Sequence, residues 1–420
     1  MAKEFQEEHS RRDIETSGYI SVDIKKLRPV VIAVLAIMFL LSASGLFLSL
    51  PSALTGHVDF RTFYTVGYMA RTGHGADIYD PTKYREYQNN LVGPSELLLP
   101  FNHLAYESLL YVPFSFFPYR IAYLLFLCTN LIVLWVSARL FRPLVSTLSD
   151  IWTWLPLALV ASFLPVAIVL IEGQDSLLLL LLFVAATAAL NEQNDFRAGV
   201  LLGLSLFKFQ YAIPVALLLF SWRRWKFLRG FALSGAIVVA LSVWVTGFSG
   251  VLSFVHSIFE VSARYSSKNG VLYGVHPDGM PNFRGFSYMI TGGSVSAAHL
   301  ITICLSAVSM IWAASKRPWI PGALLAALLV SYHQVIADSS LLLIPIGLIL
   351  SREFEDLRTL RSRAGTLLAC MALIGPTILL FANTRFYLLA LPVMGLFLLW
   401  DTPSPNTSGS ITGVHNRRPI

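Results

Sequence analysis

Residues 30–50 read VVIAVLAIMFLLSASGLFLSL, an unbroken run without a charged side chain. A bilayer hydrocarbon core about 30 Å thick requires roughly 20 apolar residues in a helix. The run meets that length. It is too long for a cleaved signal peptide, lacks a small-residue exit, and follows a polar tail of 28 residues. It therefore reads as a first transmembrane helix.

Further apolar runs lie at 103–117, 121–141, 152–171, 175–190, 198–220, 230–249, 287–314, 319–334, 337–350, 365–382 and 386–400. The chain is 55% hydrophobic and only 13% charged, whereas a soluble protein carries about a quarter charged residues. The expected fold is an all-α polytopic transmembrane helical bundle of about twelve spans, with eleven to thirteen admissible. Its parts are a cytoplasmic tail (1–28), a membrane domain (29–400) with a first external loop (51–102), and a C-terminal tail (401–420). That tail is rich in Ser, Thr, Pro and Gly and reads as disordered.

Orientation follows from Lys and Arg near the span ends. Lys25, Lys26 and Arg28, the WRRWKFLR stretch (222–229), Lys316-Arg317 and the loop 351–363 fall on one side of a twelve-span count. That side is read as the cytoplasm, with loops 51–102 and 250–286 outside. Arg139 and Arg142 fall outside on this count. A re-entrant 103–117 with a split 198–220 preserves the parity and puts Gln174 outside. The two arrangements stay open at this level. The inside bias accounts for the net charge of +7, and no separate basic stripe points to nucleic acid. Cys128, Cys304 and Cys370 all sit in apolar runs without metal-ligand spacing, and read as packing residues with no disulfide.

The chemistry is concentrated in the first external loop, TGHVDFRTFYTVGYMARTGHGADIYDPTKYREYQNN (55–90). Phe60, Phe63, Tyr64, Gly67 and Ala70 fall near one face at helical spacing. Asp80-Pro81 starts a second helix, with Asp as N-cap and Pro in the first turn. The aromatic content suits helices in the headgroup layer. Asp59 has two readings: a helix cap, or a general base facing a cavity.

Asp59, Phe63, Tyr64 and Gly67, followed by Gly75, Tyr79 and Asp80, resemble the first loop of bacterial family-87 glycosyltransferases of the GT-C superfold. EGQDSLLLLLLFVAATAAL (172–190) is similar to that family's Gly-Gln step and apolar helix. AGVLLGLSLFKFQYAIPVALLLFSWRRW (198–225) is similar to its Gly- and Lys-containing segment with a basic exit. PNFRG (281–285) and SYHQ (331–334) occupy the places of polar external loops. The likeness spans roughly 57–345.

The resemblance implies transfer of a sugar, mannose or another hexose or pentose, from a polyprenyl-phosphate donor to an envelope acceptor outside the inner membrane. It implies inversion at the anomeric carbon, with Asp59 as base on the acceptor hydroxyl. The phosphate leaves as an anion and needs cations or hydrogen-bond donors, but no second acid. The expected phosphate ligands are His333, Arg284 and Lys208, and Asp338 either lines the cavity or pairs with an Arg. Tyr64, Tyr68, Asn282 and Gln174 are candidate sugar or acceptor contacts. No D-x-D pair accompanies Asp59, so neither a metal nor another cofactor is expected. The expected partners are the bilayer, the lipid-linked sugar, and a glycan or lipid acceptor. Two other classes compete. A flippase or transporter would show inverted repeats, and none is visible. A polymerase or ligase would place its main loop late in the chain.

Overall fold

The computed structural model describes residues 28–94, 99–264, 277–316, 318–353 and 359–399. Residues 1–27, 95–98, 265–276, 317, 354–358 and 400–420, with them Lys25, Lys26 and Arg317, lie outside the described residues. Those described are helical, with no strand among them. Five helices are long and apolar enough to cross a membrane, or up to seven if each of two bent pairs counts as one span.

The long elements are α1 (Arg28–Leu54), α4 (Tyr119–Phe141), α10 (Trp225–Arg264), α12 (Val295–Ser315) and α15 (Leu360–Phe381). Between α1 and α4 lie two loop helices, α2 (Phe60–Arg71) and α3 (Pro81–Val92). Two sharply bent pairs follow. The helices α5 (Leu155–Ser162) and α6 (Leu164–Glu172) meet at 57°, at Phe163. The helices α8 (Asp195–Gly203) and α9 (Phe209–Ser221) are separated by a tight turn and bent by 63°. Between the pairs runs α7 (Ser176–Asn191). Further helices are α11 (Phe283–Ile290), α13 (Ile320–Val330), α14 (Leu343–Glu353) and α16 (Ala390–Leu398).

Burial separates centre from rim. In α13, nine of eleven residues are buried, from Pro321 to Leu329. In α12 only Ala298, Ser309 and Ala313 are buried, and Leu300, Ile303, Val308 and Ile311 face outward. An apolar exterior of this kind matches a lipid-facing surface. Short helices therefore form the interior, and long ones surround them. Cys128 and Cys304 are on the outer faces rather than in the packed core, contrary to the expected packing role.

Helix α8 lies against α10 at close range. A Cβ on Gly199 would sit 1.9 Å from the Phe227 carbonyl oxygen, and one on Gly203 would sit 2.0 Å from Ser234 Oγ. The small residues thus let two backbones touch, as membrane helix pairs commonly require. The N-terminal ends of both helices also meet, Arg224 Nη2, just before α10, lying 2.7 Å from Asp195 Oδ1.

Two expectations are corrected. The run 103–117 is not a span: it folds into short turns at Ala105–Glu107, Ser108–Tyr111 and Phe114–Phe116. Part of it packs inward, Tyr111 stacking on Phe63 at 4.8 Å between centroids beside buried Glu107 and Ser108, while Leu110, Phe116 and Phe117 stay exposed. The aromatic face of α2 packs on protein rather than on lipid headgroups: nine of its twelve residues are buried inside the protein. Arg61 holds this helix in place. Its guanidinium donates to the carbonyls of Gly56, Gln88 and Gly93 and to Asn89 Oδ1, tying α2 to the end of α3. The helix α3 starts as expected, with Asp80 Oδ1 accepting from the Thr82 and Lys83 amides.

Candidate active site

Asp59 directly precedes α2, yet its carboxylate does not cap the helix. It accepts instead from Gln174 Nε2, 115 residues away in sequence. The local sequence around residue 173 makes this meeting possible. Helix α6 ends at Gly173 in the left-handed region (φ 61°), and a Cβ there would sit 2.6 Å from Phe60 Cβ. Only glycine takes that turn against α2 without strain. The last carbonyls of α6 lie 3.1 and 3.0 Å from the Tyr123 hydroxyl. Asn130 Nδ2 then donates to the Gln174 carbonyl at 3.1 Å. The Asp59 amide donates to Glu172 Oε2 at 3.3 Å, so the α6 end grips both the backbone and the side chain of Asp59.

A cavity of about 240 Å³ opens beside this contact. Asp59 and Gln174 form one wall, His103 and Asp175 a second, and Tyr332, His333 and Asp338 a third. Lys208, from the turn between α8 and α9, lies at its base. Its ammonium is 2.7 Å from Asp175 Oδ1 and 2.5 Å from Asp338 Oδ1, and donates to Ser176 Oγ at 2.8 Å. The ammonium charge is thus shared between two buried carboxylates, with N–H bonds to Ser176 and Asp338. Asp338 is further held by the Tyr211 hydroxyl at 2.9 Å. It thus both lines the cavity and pairs with a cation, which is Lys208 rather than an arginine.

The second wall has its own pairing. His103 Nδ1 is 2.5 Å from Glu107 Oε2 and 3.3 Å from Asp175 Oδ2. The two carboxylates outweigh burial and the Lys208 charge, and hold the His103 imidazolium above its ordinary pKa. Burial pushes the Asp59 carboxyl above its ordinary 3.8, opposed by the Gln174 hydrogen bond and the Lys208 charge.

Residues 107–345, more than half of the chain, match the family model for glycosyltransferase family 87. The chain belongs to this family. It is accordingly a membrane glycosyltransferase. No curated protein and no solved structure matches it.

The family-87 stretch includes Gln174, Lys208, Asn282, Arg284 and His333, whereas Asp59 precedes it. Five of the nine residues singled out from sequence line one cavity: Asp59, Gln174, Lys208, His333 and Asp338. The other four do not. Tyr68 carries the Arg71 guanidinium over its ring at 5.0 Å. Tyr64 is buried, and its hydroxyl donates to the Phe117 carbonyl at 2.9 Å. Asn282 caps α11, accepting from the Gly285 amide, and donates to the Ser331 carbonyl at 2.8 Å. Arg284 Nη1 donates to the Tyr332 carbonyl at 2.9 Å. Asn282 and Arg284 thus support from behind the loop that carries His333.

This family-87 site also contains groups that the sequence reading passed over: His103, Glu107 and Asp175. The i, i+4 pair of His103 and Glu107 inside an apparent span was the available signal. Ligand atoms of the three lie within 4.8 Å of one another, the spacing a metal would need. The Lys208 ammonium sits on Asp175 and the His103 ring on Glu107, which makes the cluster an ion-paired wall.

Proposed function

We propose that this chain transfers a sugar from a polyprenyl-phosphate donor to an envelope acceptor, with inversion and with Asp59 as general base. The observation that carries the reading is the Asp59 carboxylate, freed from capping and held by Gln174 at the wall of a cavity. In a direct displacement, the acceptor oxygen forms its bond to the anomeric carbon while the bond to the phosphate oxygen breaks. The acceptor proton passes to Asp59, and the phosphate leaves as an anion. The chemistry asks for neither a metal nor another cofactor. His333 serves the phosphate and Gln174 the sugar or acceptor. Tyr64, Asn282 and Arg284 act behind the walls. The donor sugar is mannose or another hexose or pentose, and the acceptor is a glycan or a lipid.

We further propose a GT-C-type membrane domain of twelve crossings in the inner membrane, with the N-terminus in the cytoplasm. The run 103–117 is left uncounted, and α8 and α9 count separately as they meet at the cavity. This count places Arg139, Arg142, Arg224, Lys226, Lys316 and Arg352 on the N-terminal side. The cavity then lies on the opposite, extracytoplasmic face, consistent with the positive-inside bias.

Because Asp59 must be ionised to accept a proton, activity falls as pH drops through its raised pKa. The expected kcat/KM profile in proteoliposomes has an acid limb falling about tenfold per pH unit, with its midpoint above the ordinary aspartate value of 3.8. NMR of the product should show the anomeric configuration opposite to the donor's. A retained configuration contradicts the direct displacement, and an acid limb at or below the ordinary value contradicts the assignment of a buried base.

A further inference from the structure

The proposed donor brings an anionic phosphate into a cavity whose walls already carry Asp59, Asp175 and Asp338. A cation with a free N–H must meet it, because an uncompensated anion among carboxylates is strongly disfavoured. The Lys208 charge is already shared between the buried Asp175 and Asp338 carboxylates. Arg284 is not among the residues that line the cavity. Among the described lining residues, two histidines remain, His103 and His333. His333 makes no ion pair among the described residues.

His103 is differently placed. Its Nδ1 is engaged by Glu107 and Asp175, which leaves Nε2 as its other donor. The ring is set among Phe63 and Phe101, with centroids at 5.7 and 5.5 Å. Its side chain keeps 17% of its surface exposed at the cavity. Glu107 is itself fully buried and fixed by the Tyr111 hydroxyl, which donates to Oε1 at 3.1 Å. A carboxylate on one imidazole nitrogen sets the tautomer and orients the other.

We propose that His103 is the cation that binds the departing polyprenyl phosphate, through Nε2–H, with Glu107 as its positioning residue. This rests on the donor reading above and adds no step to it. The C1–O bond to the phosphate breaks, the phosphate keeps the electron pair, and His103 donates a hydrogen bond without giving up its proton. Asp59 takes the acceptor proton, so the two charges of the reaction are handled by different side chains of the cavity.

The test is the affinity of the purified chain for polyprenyl phosphate, with uncharged polyprenol as control, for wild type, H103Q, H103K and D59N. His103→Gln keeps a polar side chain and removes the charge. It is expected to bind polyprenyl phosphate roughly ten- to a hundredfold more weakly, as loss of a charge-assisted hydrogen bond requires. His103→Lys restores a cation and is expected to recover affinity to within about threefold of wild type. D59N, which removes one of the cavity carboxylates, should bind polyprenyl phosphate at least as tightly as wild type. Wild-type affinity in H103Q overturns the assignment. So does equal weakness in H103Q and H103K, which marks a packing role. Should H103Q not fold, a folded H103K decides: retained affinity supports the proposal and lost affinity overturns it. Wild-type protein that ignores polyprenyl phosphate removes the donor reading itself, and this assignment with it.

Discussion

Asp59→Asn is expected to stop sugar transfer while leaving the protein inserted, folded and able to bind its donor. The substitution is close to isosteric. An asparagine Oδ1 still accepts from Gln174 Nε2, and the backbone amide still reaches Glu172. What disappears is the capacity to take a proton from the acceptor hydroxyl. General-base catalysis contributes typically about 10²–10⁴ in rate, so turnover should fall within or beyond that range. The KM for donor should stay near the wild-type value. Turnover within about threefold of wild type would exclude Asp59 as the base, whatever the fold. A variant that fails to insert would instead mark Asp59 as structural, and Gln174→Leu would be expected to share that defect.

Lys208→Met is expected to have a different signature, loss of stability rather than of chemistry alone. The ammonium is the common partner of Asp175 and Asp338, which are both buried. Removing one member of a buried ion-paired set leaves uncompensated charge and costs about 3–5 kcal/mol. The elements joined there are the α6–α7 turn, the α8–α9 turn and the segment after α13. All three should loosen together, seen as a lowered thermal midpoint in detergent. Adding Asp338→Asn to Lys208→Met should recover part of the loss, because it removes one of the stranded charges. An unchanged thermal midpoint in the single variant contradicts this role. The same pairing separates Lys208 from the phosphate contact expected of it from sequence.

The legible parts of the fold are those where length alone decides. The run 30–50 became α1, 121–141 became α4, 287–314 overlaps α12, and 365–382 became α15. Each is long and turns an apolar face outward, so its sequence reports the bilayer directly. The interior helices are harder to read. α13 has only eleven residues and α8 only nine, and their hydrophobicity reflects protein neighbours rather than lipid. The run 103–117 failed for the same reason: Tyr111 and Phe114 face other aromatic rings of the loop and α4, not lipid.

The site divides in a similar way. Asp59 and Gln174 stood out through local patterns, and the left-handed turn against Phe60 explains why a glycine precedes Gln174. Lys208 stood out because a lysine in an apolar stretch demands a partner. Its partners did not, because Asp175 and Asp338 are joined to it by tertiary contacts across 33 and 130 residues. Asn282 and Arg284 were placed on the correct loop but with the wrong orientation. Nothing in PNFRG tells whether its side chains face the cavity or brace the neighbouring loop.

The central claim is the donor. Purified wild-type protein in liposomes, supplied in parallel with a polyprenyl-phosphate hexose and the matching nucleotide hexose, tests it most directly. The expected result is product from the lipid-linked sugar and none from the nucleotide sugar, with the lipid-linked activity absent in D59N. Product from the nucleotide sugar alone, or undiminished lipid-linked transfer in D59N, would contradict it.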